Sequence, residues 1–394
     1  MECWRPGCHH RRVSTRRIGN ARRLATLLPA VAFAALGMAG AAQGESPAWR
    51  VVPIEAVKWQ ELSGIAAVSP TDVWAVGLQR DADGANRTLT EHWNGSSWQI
   101  VPSPNVGPKS NWLRDVVAIS ATDVWAVGTH DNFKARRSMT LIEHWNGSAW
   151  HVVPSPSAAV GDDLVSVTAA SATDVWAVGS ASGSGLIEHW DGSSWSAVPH
   201  PEFAHRDEML VDVSASSASD VWAVANRYTW RGEVAMAEHW DGTSWRKVPV
   251  PNFTGGDNHL DAVAAVSPTA AWAISAHQWA NYVTENYHRK QLIDHWDGTA
   301  WQARFPVQVG LADIGAPSAA DVWAVGAQGS PTRDQLVTAI VHRVPGVGWT
   351  AVPTPNMGPG PNTLSEITFD SPTDLWALGT YHHWKPLILH YSSA

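Results

Sequence analysis

Thiols are almost missing from this chain. Its 394 residues include two cysteines, Cys3 and Cys8, and both precede the one long apolar run. Beyond residue 44 disulfides, thiolate metal sites and cysteine nucleophiles are therefore excluded, and with no cysteine after the apolar run so is a lipoprotein anchor. Charge is also sparse: Asp, Glu, Lys and Arg make up 16% of the chain, against about 25% in ordinary globular proteins. No Ser-His-Asp motif, phosphate-cradling glycine loop or H-E-x-x-H stretch is present, so the common hydrolase and nucleotide signatures are missing.

What is present begins with a segment unlike the rest. Seven arginines (Arg5, Arg11, Arg12, Arg16, Arg17, Arg22, Arg23) stand against Glu2, followed by LATLLPAVAFAALGMAGAA and the A-x-A pattern Ala39-Gly40-Ala41. This order predicts a secretory signal peptide over 1–44, cleaved near 41–44, and a secreted, extracellular product over 45–394. A type II anchor built on the same run is the competing reading. Once the leader is removed no membrane span is expected. The arginine pairs leave Sec and twin-arginine export both open, because Gly19 and Asn20 stand where apolar residues would favour the latter. The leader holds seven of the 27 basic residues and one of the 36 acidic ones, leaving a body of formal net charge −15. Nucleic acid is excluded as a partner on that ground, since binding it relies on cations that displace counterions from phosphates.

From residue 45 onward the chain repeats itself. Copies of DVWAVG begin at Asp72, Asp123, Asp174, Asp220, Ala270, Asp321 and Asp374, at intervals of 51, 51, 46, 50, 51 and 53 residues. A period near 50 marks units that cannot bury their own faces and so assemble into one body. Each unit opens with a β-rich segment led by Leu62, Leu113, Leu164, Leu210, Leu260, Leu311 or Leu364. A turn of the type SPTD or SATD follows, then DVWAVG, then a connection of variable length, then EHW, then Asn-Gly or Asp-Gly, then a short segment ending in proline. Adjacent Asn-Gly or Asp-Gly between apolar runs is a strong hairpin signal, and the terminal proline suits an edge strand. Four antiparallel strands per unit, seven times, predict an all-β, seven-bladed β-propeller. The last unit lacks its fourth strand, whereas Trp49-Arg50-Val51-Val52-Pro53 precedes the first unit as an orphan fourth strand. The N-terminal strand is therefore expected to complete the C-terminal blade and close the ring. A monomer is expected.

Of 25 tryptophans, 19 occupy repeat positions: seven in second strands, five in third strands and seven in fourth strands. An indole buried between blades hides ~150–250 Å², which at ~25 cal/mol/Å² amounts to roughly 4–6 kcal/mol each before entropy is subtracted. These residues read as structural.

The motif DVWAVG…EHW-(N/D)-G-(S/T)-(S/A)-W, with Trp74 to Trp98 as the type copy, resembles the repeats of bacterial exported propellers. The pattern is similar to Asp-box (BNR-like) propellers, including the photosystem II assembly factor and sortilin types. The chain departs from the Asp-box itself, because Asn94-Gly95 or Asp191-Gly192 replaces S-x-D-x-G-x-T-W, and the kelch and WD-repeat signatures are missing too. The resemblance implies a fold and a secreted life; activity does not follow from it.

Candidate sites come from residues outside the repeat or in rows across it. One histidine recurs in every third strand (His92, His144, His189, His239, His295, His342, His390), preceded by Glu91, Glu143, Glu188, Glu238 or Asp294 in five blades. One per blade cannot gather around one ion, so the histidines read as structural, bonded to a neighbouring blade. The aspartate heading DVWAVG reads as a turn former. The variable connections lie at one end of the barrel, and ligands favour such loops over a rigid scaffold. Trp59, Trp112, Trp230, Trp279 and Trp384 all fall there, with Tyr228, Tyr282, Tyr287, His288 and His382. Aromatics beside hydrogen-bonding groups suit sugar rings or peptide grooves; they equally suit loops packed on one another. HQWANYVTENYHRK is the longest and most aromatic of these loops.

Two places after each leading leucine stand Gly64, Asp115, Ser166, Asp212, Ala262, Asp313 and Glu366. Asp115, Asp212, Asp313 and Glu366 at a channel mouth could hold Ca²⁺ through oxygen ligands, face water, or pair with Arg114. No cofactor is otherwise implied and no catalytic residue stands out. Three functions fit: a non-enzymatic propeller binding a glycan or cell-surface polymer, a metal-assisted hydrolase or lyase at the channel mouth, or a scaffold for a protein partner.

Overall fold

In each DVWAVG segment residues of both parities are apolar, which suits a strand covered on both faces. Val73, Trp74, Ala75 and Val76 are all buried. The computed structural model describes residues 48–392 except 56, 133–136, 157–160, 202–207, 282–285, 331–334 and 383. The leader expected over 1–44, Tyr282 and His383 lie outside the described residues. Seven four-stranded antiparallel sheets form a β-propeller, and no helix occurs among the described residues. Among the described residues no helix is long and apolar enough to cross a membrane. Blades are numbered 1 to 7 from Gln60 onward, each running from first to fourth strand in sequence order; Ala48–Val51 is the fourth strand of blade 7, paired with Lys385–Ser392 so that Trp49 faces Tyr391.

The tryptophans join the blades in one repeated way. Trp74 of blade 1 lies 4.9 Å from Trp145 and 5.3 Å from Trp150 of blade 2. The same step recurs around the ring and crosses the seam, where Trp323 meets Trp49 at 6.1 Å and Trp376 meets Trp98 at 6.0 Å. Third strands of blades 6 and 7 carry no such tryptophan. Arg343 fills the first vacancy, its guanidinium 5.0 Å from the Trp272 ring, and Tyr391 the second, 5.1 Å from Trp323.

The histidine row is structural but works within its own blade, which corrects the expected contact with a neighbour. Register places His92 opposite Trp74 on adjacent strands. Its ring stacks on that indole at 4.4 Å, and its Nε2 lies 2.7 Å from Asp72 Oδ1. Five further blades repeat the bond, pairing His144 with Asp123, His189 with Asp174, His239 with Asp220, His342 with Asp321 and His390 with Asp374. The head aspartate is thus more than a turn former. In three blades it also accepts an indole N–H, from Trp176, Trp323 or Trp376.

First strands surround the axis. In every one the register shifts next to the channel residue, as between Leu113 and Asp115 or between Leu364 and Glu366. Such a bulge re-aims a side chain and bends the strand. Here it turns the seven-membered row toward a central cavity of about 420 Å³ lined by Asp115, Ser166, Asp212, Asp313 and Glu366.

Candidate functional site

The channel carboxylates are fixed by backbone amides on both sides. Asp115 Oδ1 accepts the N–H of Val116 at 2.7 Å, while Oδ2 accepts that of Val167, one blade on, at 2.7 Å. Asp212 repeats this with Val213 and Val263, and Asp313 with Ile314 and Ile367. Glu366 Oε2 accepts the Ile65 N–H of blade 1 at 2.8 Å. Ser166 donates to Asp212 Oδ1 at 2.7 Å. Arg114 does not pair with this ring; its guanidinium sits 4.0 Å from the Trp112 ring centre. Blade 1 has no side chain here because a Cβ on Gly64 would come within 2.8 Å of Asp115 Cα.

Burial dominates the titration of these acids, with mutual repulsion adding to it and the amide bonds opposing it. It pushes Asp115 up to about 6, Asp212 to about 7 and Asp313 to about 8, and holds Glu366 well above the ordinary range. Burial likewise raises third-strand Glu91 and Asp294 to about 7 and Glu143 to about 8.

The aromatic residues of the long-loop face fall into two groups. Trp59, Trp112 and Trp384 line one cleft of about 630 Å³ spanning blades 7, 1 and 2, together with Gln60, Arg80, Asn86, Ser365 and Thr380. Trp59 is 64% exposed and Trp384 74%. Trp112 is better held, donating from Nε1 to Ser63 Oγ at 3.1 Å and lying under Arg114. Its other side borders a polar cavity of about 310 Å³ with Asp131 and Asp163. Trp59 has φ 63° and His382, two residues before Trp384, has φ 53°. For an indole-bearing residue that backbone is a true outlier, and strain of this kind gathers at ligand clamps. The Trp59 carbonyl accepts the Arg80 N–H at 3.0 Å, which helps hold it.

The second group belongs to blades 4 and 5. Tyr228 and Trp230 are exposed, and Arg231 stacks 4.4 Å from the Trp230 ring. Trp279 lies between His277 (5.1 Å, 19°) and His288 (5.3 Å, 20°). Five expected loop residues stand on strands instead: Trp112 in Asn111–Ser120, Tyr228 in Asp220–Thr229, Trp279 in Ala270–Asn281, and Tyr287 and His288 in Asn286–Trp296. The long aromatic stretch is the end of an extended hairpin, with Trp279 opposite His288 and Ala280 opposite Tyr287. Trp279 and Tyr287 continue the ladder where length alone suggested a loop.

Sequence reading missed the polar partners of the cleft, Arg80 and Asn86 above all, because nothing in their spacing ties them to Trp59. It also passed over a cluster of His200, Glu208 and Glu238. A signal for that cluster exists: His200 takes the serine position of the VPSP segments.

No family model and no curated protein matches the chain. Solved structures match its fold. One is YCF48 bound to a D1 peptide, 14% identical, with a TM-score of 0.56 over 89% of this chain and 100% of that one. Another is a PL25 ulvan lyase bound to a saccharide, 7% identical, TM-score 0.58, covering 86% of this chain and 95% of that one. A third is the polysaccharide lyase Uly1, 8% identical, TM-score 0.54, covering 87% and 94%. Identities this low speak to the fold alone.

Proposed function

We propose that this chain is an exported, non-enzymatic binding propeller that takes a glycan or cell-surface polymer in the Trp59–Trp112–Trp384 cleft. One observation carries the reading: three indoles that belong to no repeat position converge on one cavity, two of them exposed. Indole faces stack on the C–H faces of sugars while nearby amide, hydroxyl and guanidinium groups orient the hydroxyls. Propellers of this shape include one bound to a peptide and others that are polysaccharide lyases, so the scaffold serves either ligand class and the indoles favour the sugar. The test is a glycan-array screen of the chain with calcium and again with EDTA, repeated on a Trp59→Ala/Trp384→Ala variant. Binding that survives EDTA and disappears in the variant supports the cleft. Equal binding by the variant removes it, and capture of a peptide with no glycan bound moves the assignment to a protein-partner scaffold.

A second reading, a Ca²⁺-assisted hydrolase or lyase at the channel mouth, is favoured by the near-neutral titration of Asp115, Asp212 and Asp313. A carboxyl in that range can hold or release a proton at working pH. Glycan binding or turnover abolished by EDTA and by Asp212→Asn/Asp313→Asn would establish it.

A further inference from the structure

Three departures from the repeat meet between blades 3 and 4. After the fourth strands of blades 1 and 2 the linker carries Ser103 and Ser155, each 2.7 Å from a third-strand threonine of its own blade, Thr88 or Thr140. Ser155 also donates to Glu188 of the next blade at 2.8 Å. After blade 3 the serine becomes His200 and the threonine becomes Gly185. The exchange is paired: a Cβ on Gly185 would lie 3.0 Å from His200 Cε1, so the imidazole needs the space a threonine would take. The third departure is Glu208. At its place in four other blades stand Gln60, Asn111, Asn258 and Asn362, each accepting a linker N–H through its amide oxygen.

These changes build a donor set. His200 Nε2 donates to the Gly185 carbonyl at 3.1 Å, which turns Nδ1 to Glu238 Oε2 at 3.1 Å. One atom each of His200, Glu208 and Glu238 lies within 4.8 Å of the other two. Among the described residues no other trio of histidine, cysteine or carboxylate groups converges in this way. Glu208 Oε1 and Glu238 Oε1 are buried without a hydrogen-bond partner, in residues only 3% and 0% exposed. Burial first, then repulsion from Glu238, pushes Glu208 up to about 7, against the opposing charges of His200, Lys247 and Arg227.

We propose that His200 Nδ1 and one carboxylate oxygen each of Glu208 and Glu238 bind a divalent transition-metal ion, with zinc as the type case, that clamps blade 3 to blade 4. One imidazole and two carboxylates suit borderline cations of this class. Two carboxylates and a neutral imidazole balance the ion's charge, and binding releases the protons held among them. The bond from Nε2–H to a backbone carbonyl is the arrangement that orients metal-bound histidines. The Nδ1–Oε2 separation of 3.1 Å already matches the edge of about 3.3 Å expected for a tetrahedron with bonds of about 2.05 Å. Rotation of the Glu208 side chain closes the remaining edges, and water completes the shell.

The test uses the full chain, stripped with EDTA, titrated with zinc and desalted, with bound zinc counted by mass spectrometry and the thermal midpoint followed in parallel. The wild type is expected to retain about one more zinc per chain than His200→Ser, and its midpoint alone should rise. Serine is a native occupant of this position in two blades, so the variant should fold. Glu208→Gln, which restores the amide type used at Gln60, should match it and serves as a second variant if His200→Ser proves unstable. Cys3, Cys8, His9 and His10 can take zinc, but they are common to all three proteins and cancel in the difference. Equal zinc content in wild type and variants, or a midpoint that zinc shifts equally or not at all, overturns the proposal.

Discussion

Asp115 Oδ2 accepts the backbone N–H of Val167, from the following blade, at 2.7 Å. The bond explains why an acid stands in a channel that raises its pKa. The amides of Ile65, Val167, Val263 and Ile367, each just past the bulge of its first strand, find their acceptor in the carboxylate of the preceding blade. The four acids that form the candidate cation site also bond each blade that carries one to the next.

The sign of the pH dependence follows. Folding raises these carboxyls to about 6, 7 and 8 at Asp115, Asp212 and Asp313, from ~3.9 in an unfolded chain. Between those limits the native state binds more protons than the unfolded state, so stability falls as pH rises. The thermal midpoint should decline from about pH 5 to about pH 8 in calorimetry, and Asp313→Asn should lower it but flatten the upper part of the slope. A midpoint climbing across that window would contradict the assignment.

Tryptophans of the two classes should differ sharply on removal. Trp222 is fully buried, 4.9 Å from Trp296 and 5.1 Å from Trp301, so Trp222→Ala should cost about 3–5 kcal/mol. Trp230 is 87% exposed, and Trp230→Ala should stay within about 0.5 kcal/mol of wild type. Urea unfolding of both variants measures the contrast.

Blade 5 offers an internal control for the histidine row. His239 Nε2 meets the buried Asp220 Oδ1 at 2.6 Å while Ser216 donates to Oδ2, so His239→Ala leaves the first oxygen without its imidazole and should cost about 1–3 kcal/mol. In blade 5 the head residue is Ala270, so His295→Ala strands no head aspartate. It should be the milder substitution in the same denaturation assay.

The two aromatic groups should separate in binding. Trp59→Ala/Trp384→Ala is expected to weaken glycan binding about tenfold or more, equivalent to ~1.4 kcal/mol. Trp230→Ala/Trp279→Ala, which touches blades 4 and 5 only, should leave affinity at the cleft unchanged. Titration calorimetry with the best array ligand decides; the reverse pattern would place recognition on the extended hairpin of blade 5.

Much of the architecture was legible because a 50-residue period reports topology directly: the blade count, the strand order and the return of Trp49 to the last blade all follow from it. Side-chain partnerships were less so. The His92–Asp72 bond depends on the register of two strands, which residue spacing does not state. Arg343 and Tyr391 stand in for tryptophan by shape and stacking, and pattern matching sees only a missing letter. The aromatic face was visible as composition, but its division into a cleft and a hairpin came from where the ring sets blades 7, 1 and 2 relative to blades 4 and 5.

The pairing of Ala48–Val51 with Lys385–Ser392 imposes an order of events on the growing polypeptide. The earliest strand of the propeller cannot find its sheet until the latest has been made, so the final contact spans almost the whole chain and carries a large loop-closure cost. Six blades can form as they emerge, while the seventh waits and leaves Trp323 uncapped at an open edge. The unfinished ring is therefore the species most exposed to misassembly, and a chaperone handling this protein would meet that edge first.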